Sequence, residues 1–549
     1  MKIASILDTI SFNCFKYEGD FFRLDSLTWE ERLENEKPDM LFIESAWNED
    51  FKKIFRKNPD RGTPSGDPVC WCKQHDIPTV FWNKEDPYHF DHFIDIAKDF
   101  DYIFTTDVDC IPRYQSVTGH NRVYLLPFAA QTQIHNPINK DLDKLGNVAF
   151  AGTWYNLRPE RQKDMDLLLM PALKYGLHIY DRMNNFTLNR NYVFPEHYQP
   201  YIKGYLPYEE MIHYYKKYPV FLNVNTVKTS PTMISRRVME LLACGTNVIS
   251  NQSASVDNLF PGLVLSAKSE EDTEKYLNGL LKDKELRDRL SLLGQRAVFN
   301  KHTYRQRYQT ILSKVGFDEK NELPGVTVIA VTNSPDTLPP ILLNFKNQSY
   351  ANMELIVIIN NDLTNQEKWN AVMMTDKRIR AFRIAEKSTN GTCYNFAISQ
   401  AKYEFIAFFE NNDIYTPNYI EDMMHAFEYA DAGIVGKCSH YVYLRDRGML
   451  NVKNPDMEYR YVESFPTSAV VAKKEIFDTV QFDAAVKFPF PLLFGACIQK
   501  GIRLYASDRF NFVSVWHSDV EDRPWKKGSK LSPCGSFSNV GNCLAYITV

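Results

Sequence analysis

Apolar residues in this chain gather into short runs, separated by stretches in which they recur every three or four positions. Runs at 2–7, 40–44, 78–82, 102–105 and 123–127 read as buried strands. The intervening segments are long enough for crossover helices, so a parallel doubly wound sheet is the economical expectation. A second alternating series follows, with runs at 148–151, 178–180, 220–224 and 248–250, and then a helical, charged stretch over 266–317. The polar, proline-ended segment 318–324 precedes a fresh strand at 326–332. The pattern predicts an α/β protein with Rossmann-like halves at 1–145 and 146–317, a linker at 318–325 and a further α/β domain at 326–549.

Composition changes this picture little. A hydrophobic content of 44% and a charged content of 24% are ordinary for a globular chain, and 549 residues exceed what one core organises. The net charge of −4 gives no electrostatic case for nucleic acid or an anionic membrane. The opening Met-Lys-Ile-Ala-Ser-Ile-Leu-Asp has one positive charge and a short apolar run, which suits a strand and not a signal peptide. No run approaches the roughly 18 apolar residues of a membrane span, so no transmembrane segment is expected. Ten scattered cysteines without zinc or redox spacing fit reduced thiols in a cytoplasmic protein.

Candidate chemistry concentrates at 231–251. Ser235 is a suitable N-cap, 236–243 has no breaker, and Gly245 ends the helix before a short buried strand. Arg236 and Glu240 lie four apart and share a face, with Arg237 three from Glu240. A helix start carrying arginine suits a diphosphate, and a carboxylate one turn further in suits the hydroxyls of a ribose. A surface ion pair explains the same spacing.

Two other places follow from the rule that ligands sit beyond the carboxyl ends of parallel strands. After the run at 148–151 come Gly152 and Thr153, where a glycine lets backbone approach a phosphate, then Arg158 and Arg161, which either add charge there or lie on a helix surface. Asn225 ends a later strand at the same edge. In the first half, Asp8, the segment Ser45-Ala46-Trp47, the segment Asn83-Lys84-Glu85-Asp86 and Asp107 follow successive strands. They suit an acceptor site of carboxylates and tryptophan, or the three aspartates cap helices.

The block Ser-Arg-Arg-Val-Met-Glu-Leu-Leu-Ala-Cys-Gly-Thr-Asn-Val-Ile-Ser resembles the donor segment of GT-B glycosyltransferases, and more narrowly that of the CgeB-like (spore-maturation) family. Glu-Ser-Ala-Trp, Phe-Trp-Asn-Lys-Glu-Asp-Pro and Phe-Thr-Thr-Asp resemble the same family's first half, the acceptor side. The resemblance implies a nucleotide-diphosphate sugar as donor and a glycan or glycoprotein as acceptor. It implies Glu240 as ribose ligand, Ser235 and Arg236 at the diphosphate, and Gly152, Thr153, Arg158 and Asn225 lining the donor site. Glu240, Arg236 and Asp86 are the expected catalytic groups. GT-B enzymes of this kind are usually metal-independent.

The third domain resembles the GT-A fold of family 2 transferases through Val-Thr-Val-Ile-Ala-Val-Thr-Asn-Ser-Pro, Met353-Glu-Leu-Ile-Val-Ile-Ile-Asn-Asn-Asp362 and Phe405-Ile-Ala-Phe-Phe-Glu-Asn-Asn-Asp413. That family places an aspartate-rich triplet where a divalent cation bridges the donor phosphates. Here the triplet is diluted to Glu410-Asn-Asn-Asp413, and Lys487-Phe-Pro-Phe-Pro stands where the family carries a Glu-Asp pair as general base for the acceptor hydroxyl. Glu410, Asp413 and His517 are the candidate Mg²⁺ or Mn²⁺ ligands, or Asp413 caps a helix and His517 lies on the surface. The expectation is a degenerate GT-A domain. The alternatives are an active one, using Asp483 as base, and a non-catalytic carbohydrate-binding or scaffold protein. Homo-oligomerisation is left open.

Overall fold

The computed structural model describes residues 1–56, 66–185, 190–317, 322–362, 376–486, 488–516 and 530–549. The chain divides into two units, Met1–Asn321 and Glu322–Val549.

The first unit holds two six-stranded sheets, both parallel throughout. In the first the order is Asp20–Arg23, Lys2–Ile6, Met40–Glu44, Thr79–Asn83, Tyr102–Thr105, Val123–Leu125. The central strands are buried on both faces, as helix-covered parallel strands must be, and Met40–Glu44 and Thr79–Asn83 are buried at every position. The second sheet runs Val264–Ala267, Asn247–Asn251, Val220–Asn223, Val148–Gly152, Leu177–Asp181, Ile202–Gly204. The edge strands Asp20–Arg23 and Ile202–Gly204 escape the pattern reading because they are short and mostly exposed or half-buried.

One helix fastens the halves together. Tyr304–Val315 opens on a capping box between Thr303 and Gln306. Tyr304 then packs edge-on against Phe15 at 4.8 Å, and Tyr308 lies against Phe21. Arg307, almost fully buried, donates to the carbonyls of Pro127 and Phe128 at 2.7 and 2.9 Å. The end of the second half thus packs on the first, and the carboxyl edges of the two sheets share a cleft.

The second unit has an eight-stranded mixed sheet in the order Ile379–Arg383, Met353–Ile359, Val326–Thr332, Phe405–Phe408, Val470–Lys473, Ile434–Gly436, Leu504–Ala506, Arg460–Val462. Val470–Lys473 runs antiparallel to both neighbours. A five-stranded sheet lies beside it, built of Ile414–Tyr415, Phe512–Trp516, His440–Leu444, Met449–Lys453 and Leu531–Ser536. No helix among the described residues is long and apolar enough to cross a membrane, and all ten cysteines are unpaired thiols.

Candidate active site

The cleft of the first unit encloses a cavity of about 670 Å³, within the 300–1,000 Å³ usual for small-molecule sites. Its donor-side wall is the edge the sequence singled out. Gly152 ends a strand beside Phe150, whose ring would stand 2.8 Å from any Cβ at position 152. Thr153 follows, 3% exposed, and its hydroxyl has no hydrogen-bond partner among the described residues although it lines the cavity.

The helix Arg236–Ala243 buries one full face, and Ser235, Arg236, Arg237 and Glu240 line the cavity. Ser235 stands at the N-cap, but its hydroxyl makes no capping bond. Asn225 supplies the order instead. Its Oδ1 accepts from the Ser235 N–H at 2.9 Å and its amide donates to Ser250 and Ser253 at 3.2 Å, so its side chain holds the loop in place.

Glu240 is 1% exposed and bonded through both oxygens. Tyr208 donates to Oε1 at 2.6 Å, Tyr215 to Oε2 at 3.0 Å, and the Arg236 Nε lies 3.2 Å from Oε1. Behind Tyr208 stands His135, whose Nδ1 accepts from the Gln131 N–H at 3.0 Å, so Nε2 carries the proton toward the Tyr208 hydroxyl at 2.9 Å. Burial pushes His135 down to about 4, which keeps it neutral. Burial alone would push Glu240 up, yet His135, Arg236 and the Tyr208 hydroxyl leave it below its ordinary value.

Three further arginines, Arg161, Arg182 and Arg237, line this space, and none forms an ion pair among the described residues. Arg161 donates to the Thr226 hydroxyl at 2.6 Å, and Arg182 to the Tyr155 hydroxyl at 3.3 Å. The Nε atoms of Arg161 and Arg237 are buried without a partner among the described residues. Burial, together with repulsion from Arg237, Arg158 and Arg182, lowers Arg161 to about 10. Arg158 itself does not line the cavity. It begins the helix Pro159–Ala172 and lays its guanidinium over Tyr88 and Tyr155 at 4.9 and 5.2 Å.

The first half contributes Asp8, Ile10, Lys84, Glu85 and Phe128. Asp8 caps the helix Thr9–Phe15 through the Ser11 N–H at 2.7 Å, and its other oxygen takes the ammonium of Lys84. Lys84, 7% exposed, also donates to the buried Glu44 at 2.8 Å. Asp107 caps the short helix Val108–Cys110 and accepts from the Ser230 hydroxyl at 2.8 Å. Asp86 is neither a cap nor a cavity residue. It is 0% exposed, accepts from Asn83, Thr105 and Tyr114 at 2.8, 2.6 and 3.0 Å, and burial pushes it up to about 7. The turn after Thr79–Asn83 therefore sends Asp86 into the core and leaves Glu85 at the cavity. Arg182, directly after the strand Leu177–Asp181, was open to the strand-end rule but not read; Tyr208, Tyr215 and His135 carry no local signal.

In the second unit Glu410 and Asp413 line a cavity of only about 150 Å³, shared with Tyr394, Phe465, Phe488 and Phe490. Glu410 Oε1 accepts from Ser468 at 2.7 Å, and Asp413 Oδ1 accepts from the Ser514 hydroxyl and the Val515 N–H at 3.1 Å. His517 lies outside the described residues. No group of three or more His, Cys, Asp or Glu among the described residues is placed to hold a metal.

Comparison with known proteins agrees with these two architectures. Residues 171–313 match the family described as glycosyl transferase-like, and residues 327–488 match glycosyl transferase family 2. The chain is therefore a glycosyltransferase assembled from two transferase regions of different kinds. More narrowly, it is a low-identity homologue of spore protein CgeB of Bacillus subtilis, 22% identical over 231 residues, which are 39% of this chain and 71% of that protein. Glycosyltransferase GlyG of Streptococcus pneumoniae is 25% identical over 181 residues, 29% of this chain and 60% of that one. Solved structures include S. aureus TarS 1–349, at 11% identity, 35% of this chain, 60% of that chain and a TM-score of 0.28. The Pyrobaculum calidifontis mannosyltransferase PcManGT, solved with GDP-Man and Mn²⁺, gives 14%, 40%, 65% and 0.27. Neither structural likeness carries an argument at that score.

Proposed function

We propose that the cavity of the first unit binds a nucleotide-diphosphate sugar and transfers the sugar to a hydroxyl of a glycan or glycoprotein. The observation that carries this reading is one cavity lined by Arg161, Arg182 and Arg237, none in an ion pair among the described residues, together with the buried hydroxyl of Thr153, which has no hydrogen-bond partner there. A cavity with surplus positive charge and a buried unmet donor is built for an anion, and a diphosphate supplies both the charge and the acceptors. Arginines so placed oppose the charge that develops on the leaving diphosphate, the work a metal does elsewhere. Glu240 already accepts two hydroxyl donors, from Tyr208 and Tyr215. Its Oε2 accepts from Tyr215 and, among the described residues, keeps a second lone pair, and we assign a ribose hydroxyl to it, with Gly152, Asn225 and Ser235 shaping the wall.

The second unit is the scaffold or acceptor-positioning part of this reading. Glu410 and Asp413 offer the hard oxygens that Mg²⁺ or Mn²⁺ takes, so a divalent cation is compatible with the residues present. The space is not compatible with a donor, since about 150 Å³ is below the range of small-molecule sites. The test is nucleoside-diphosphate release from a panel of nucleotide sugars, with EDTA or with Mn²⁺. The expected release survives EDTA, disappears in Glu240→Gln and persists in Asp413→Ala. Release that requires Mn²⁺ and is lost in Asp413→Ala would move the chemistry to the second unit.

A further inference from the structure

Transfer to a hydroxyl needs a group that takes its proton, and the acceptor side of the cavity presents few. Three carboxylate residues line the cavity: Asp8, Glu85 and Glu240. Glu240 has both oxygens occupied by tyrosine hydroxyls and faces Arg236. Asp8 has one oxygen on the Ser11 N–H and the other on the Lys84 ammonium. Lys84 and Arg236 overcome the effect of burial and hold Asp8 down to about 2, a weak base. Glu85 differs from both. It is half-buried, comes from the first half of the unit, and is engaged through its backbone, the N–H donating to Asn83 Oδ1 at 3.1 Å and the carbonyl accepting from the His89 N–H at 3.0 Å. Among the described residues its carboxylate has no hydrogen-bond or ion-pair partner.

Its position is also fixed from both sides. Lys84 before it is pinned between Asp8 and Glu44 in the core, and Asp86 after it is buried against Asn83, Thr105 and Tyr114. A free carboxylate on so constrained a turn is held ready for a ligand, because neither neighbour can move without breaking a buried polar contact.

We infer that Glu85 is the general base of the reaction, resting on the assignment of the donor to this cavity. Glu85 removes the proton of the acceptor hydroxyl as that oxygen bonds to the anomeric carbon. The bond from that carbon to the phosphate oxygen breaks, and its electron pair leaves with the nucleoside diphosphate among the arginines. A base on the wall opposite the leaving group makes this a single displacement, so the product has the inverted anomeric configuration.

The experiment uses the full chain with UDP-glucose, UDP-GlcNAc and GDP-mannose as probes and water as acceptor. Donor binding is read by calorimetry, hydrolysis by nucleoside-diphosphate release, and the first-formed sugar anomer by NMR. Inversion is expected from wild type. Glu85→Gln, an isosteric change at a half-buried site, is expected to lower kcat at least about 100-fold, with donor affinity within twofold of wild type. Formate is expected to restore part of the rate to Glu85→Ala. A retained anomer, a kcat within threefold of wild type in Glu85→Gln, a raised donor KM with unchanged kcat, or donor binding without any hydrolysis would each overturn the assignment of Glu85. Failure of wild type to bind any of the donors would instead overturn the cavity's role, and the assignment with it.

Discussion

Arg161 gives the sharpest test of the anion site, because its place costs stability in the absence of ligand. Burial first, and then the neighbouring arginines, hold it down from 12.5 to about 10. At 1.36 kcal/mol per pH unit this is roughly 3 kcal/mol against the charged form, an upper figure that partial exposure reduces to roughly 1–2 kcal/mol. A base depressed in the folded state destabilises the fold wherever it is charged, which covers every pH below about 10. Arg161→Met keeps the packing of the stem and removes the charge, but loses the 2.6 Å bond to Thr226, worth about 1 kcal/mol. The two effects nearly cancel, so the apparent melting temperature of the ligand-free protein should move by less than about 2 °C. Affinity for UDP or GDP should fall about 10- to 100-fold, the worth of one or two charge-assisted bonds to phosphate. Arg236→Met is the contrast. It leaves Glu240 buried without its cation, a loss on the order of 3–5 kcal/mol, and the melting temperature should drop by several degrees. Thermal scans and calorimetry with each nucleotide read both quantities. If Arg161→Met melts as far below wild type as Arg236→Met and binds nucleotide as tightly, the argument from unpaired charge is refuted.

Thr153→Val deletes a buried hydroxyl that has no partner, so the ligand-free protein should lose no stability, while nucleotide affinity falls about 3- to 10-fold; an unchanged dissociation constant would remove Thr153 from the site. Asp86 is protonated in the fold up to about pH 7 but only to about 3.8 when unfolded. The folded state therefore holds the extra proton between those values, and this group's contribution to stability is lost as pH rises from about 4 to 7. Asp86→Asn should accordingly gain on wild type as pH rises from about 4 to 7 in thermal melts, hold that gain above pH 7, and keep its turnover. Parallel pH profiles would contradict the buried, neutral placement, and lost turnover would return Asp86 to the chemistry.

Much of the architecture is legible in the order of residues, for a physical reason. Parallel strands buried on both faces are continuous apolar runs, such as Met40–Glu44 and Val220–Asn223, and they announce themselves without any knowledge of the fold. The strand-end rule then points at Gly152, Thr153 and the helix carrying Arg236 and Glu240, because local spacing alone decides which residues share a helix face.

What the sequence could not decide is which of two adjacent residues faces the cleft. Glu85 and Asp86 are equivalent acids in the same segment, and only the path of the turn after Thr79–Asn83 buries one among Thr105 and Tyr114 and leaves the other open. Arg158 and Arg161 lie three residues apart at one helix start, yet Tyr88, 70 positions earlier, draws the first away. His135, Tyr208 and Tyr215 reach Glu240 from elements 105, 32 and 25 residues away. A hydrogen-bond network is set by side chains meeting in space, and spacing in sequence does not carry distances across two packed sheets.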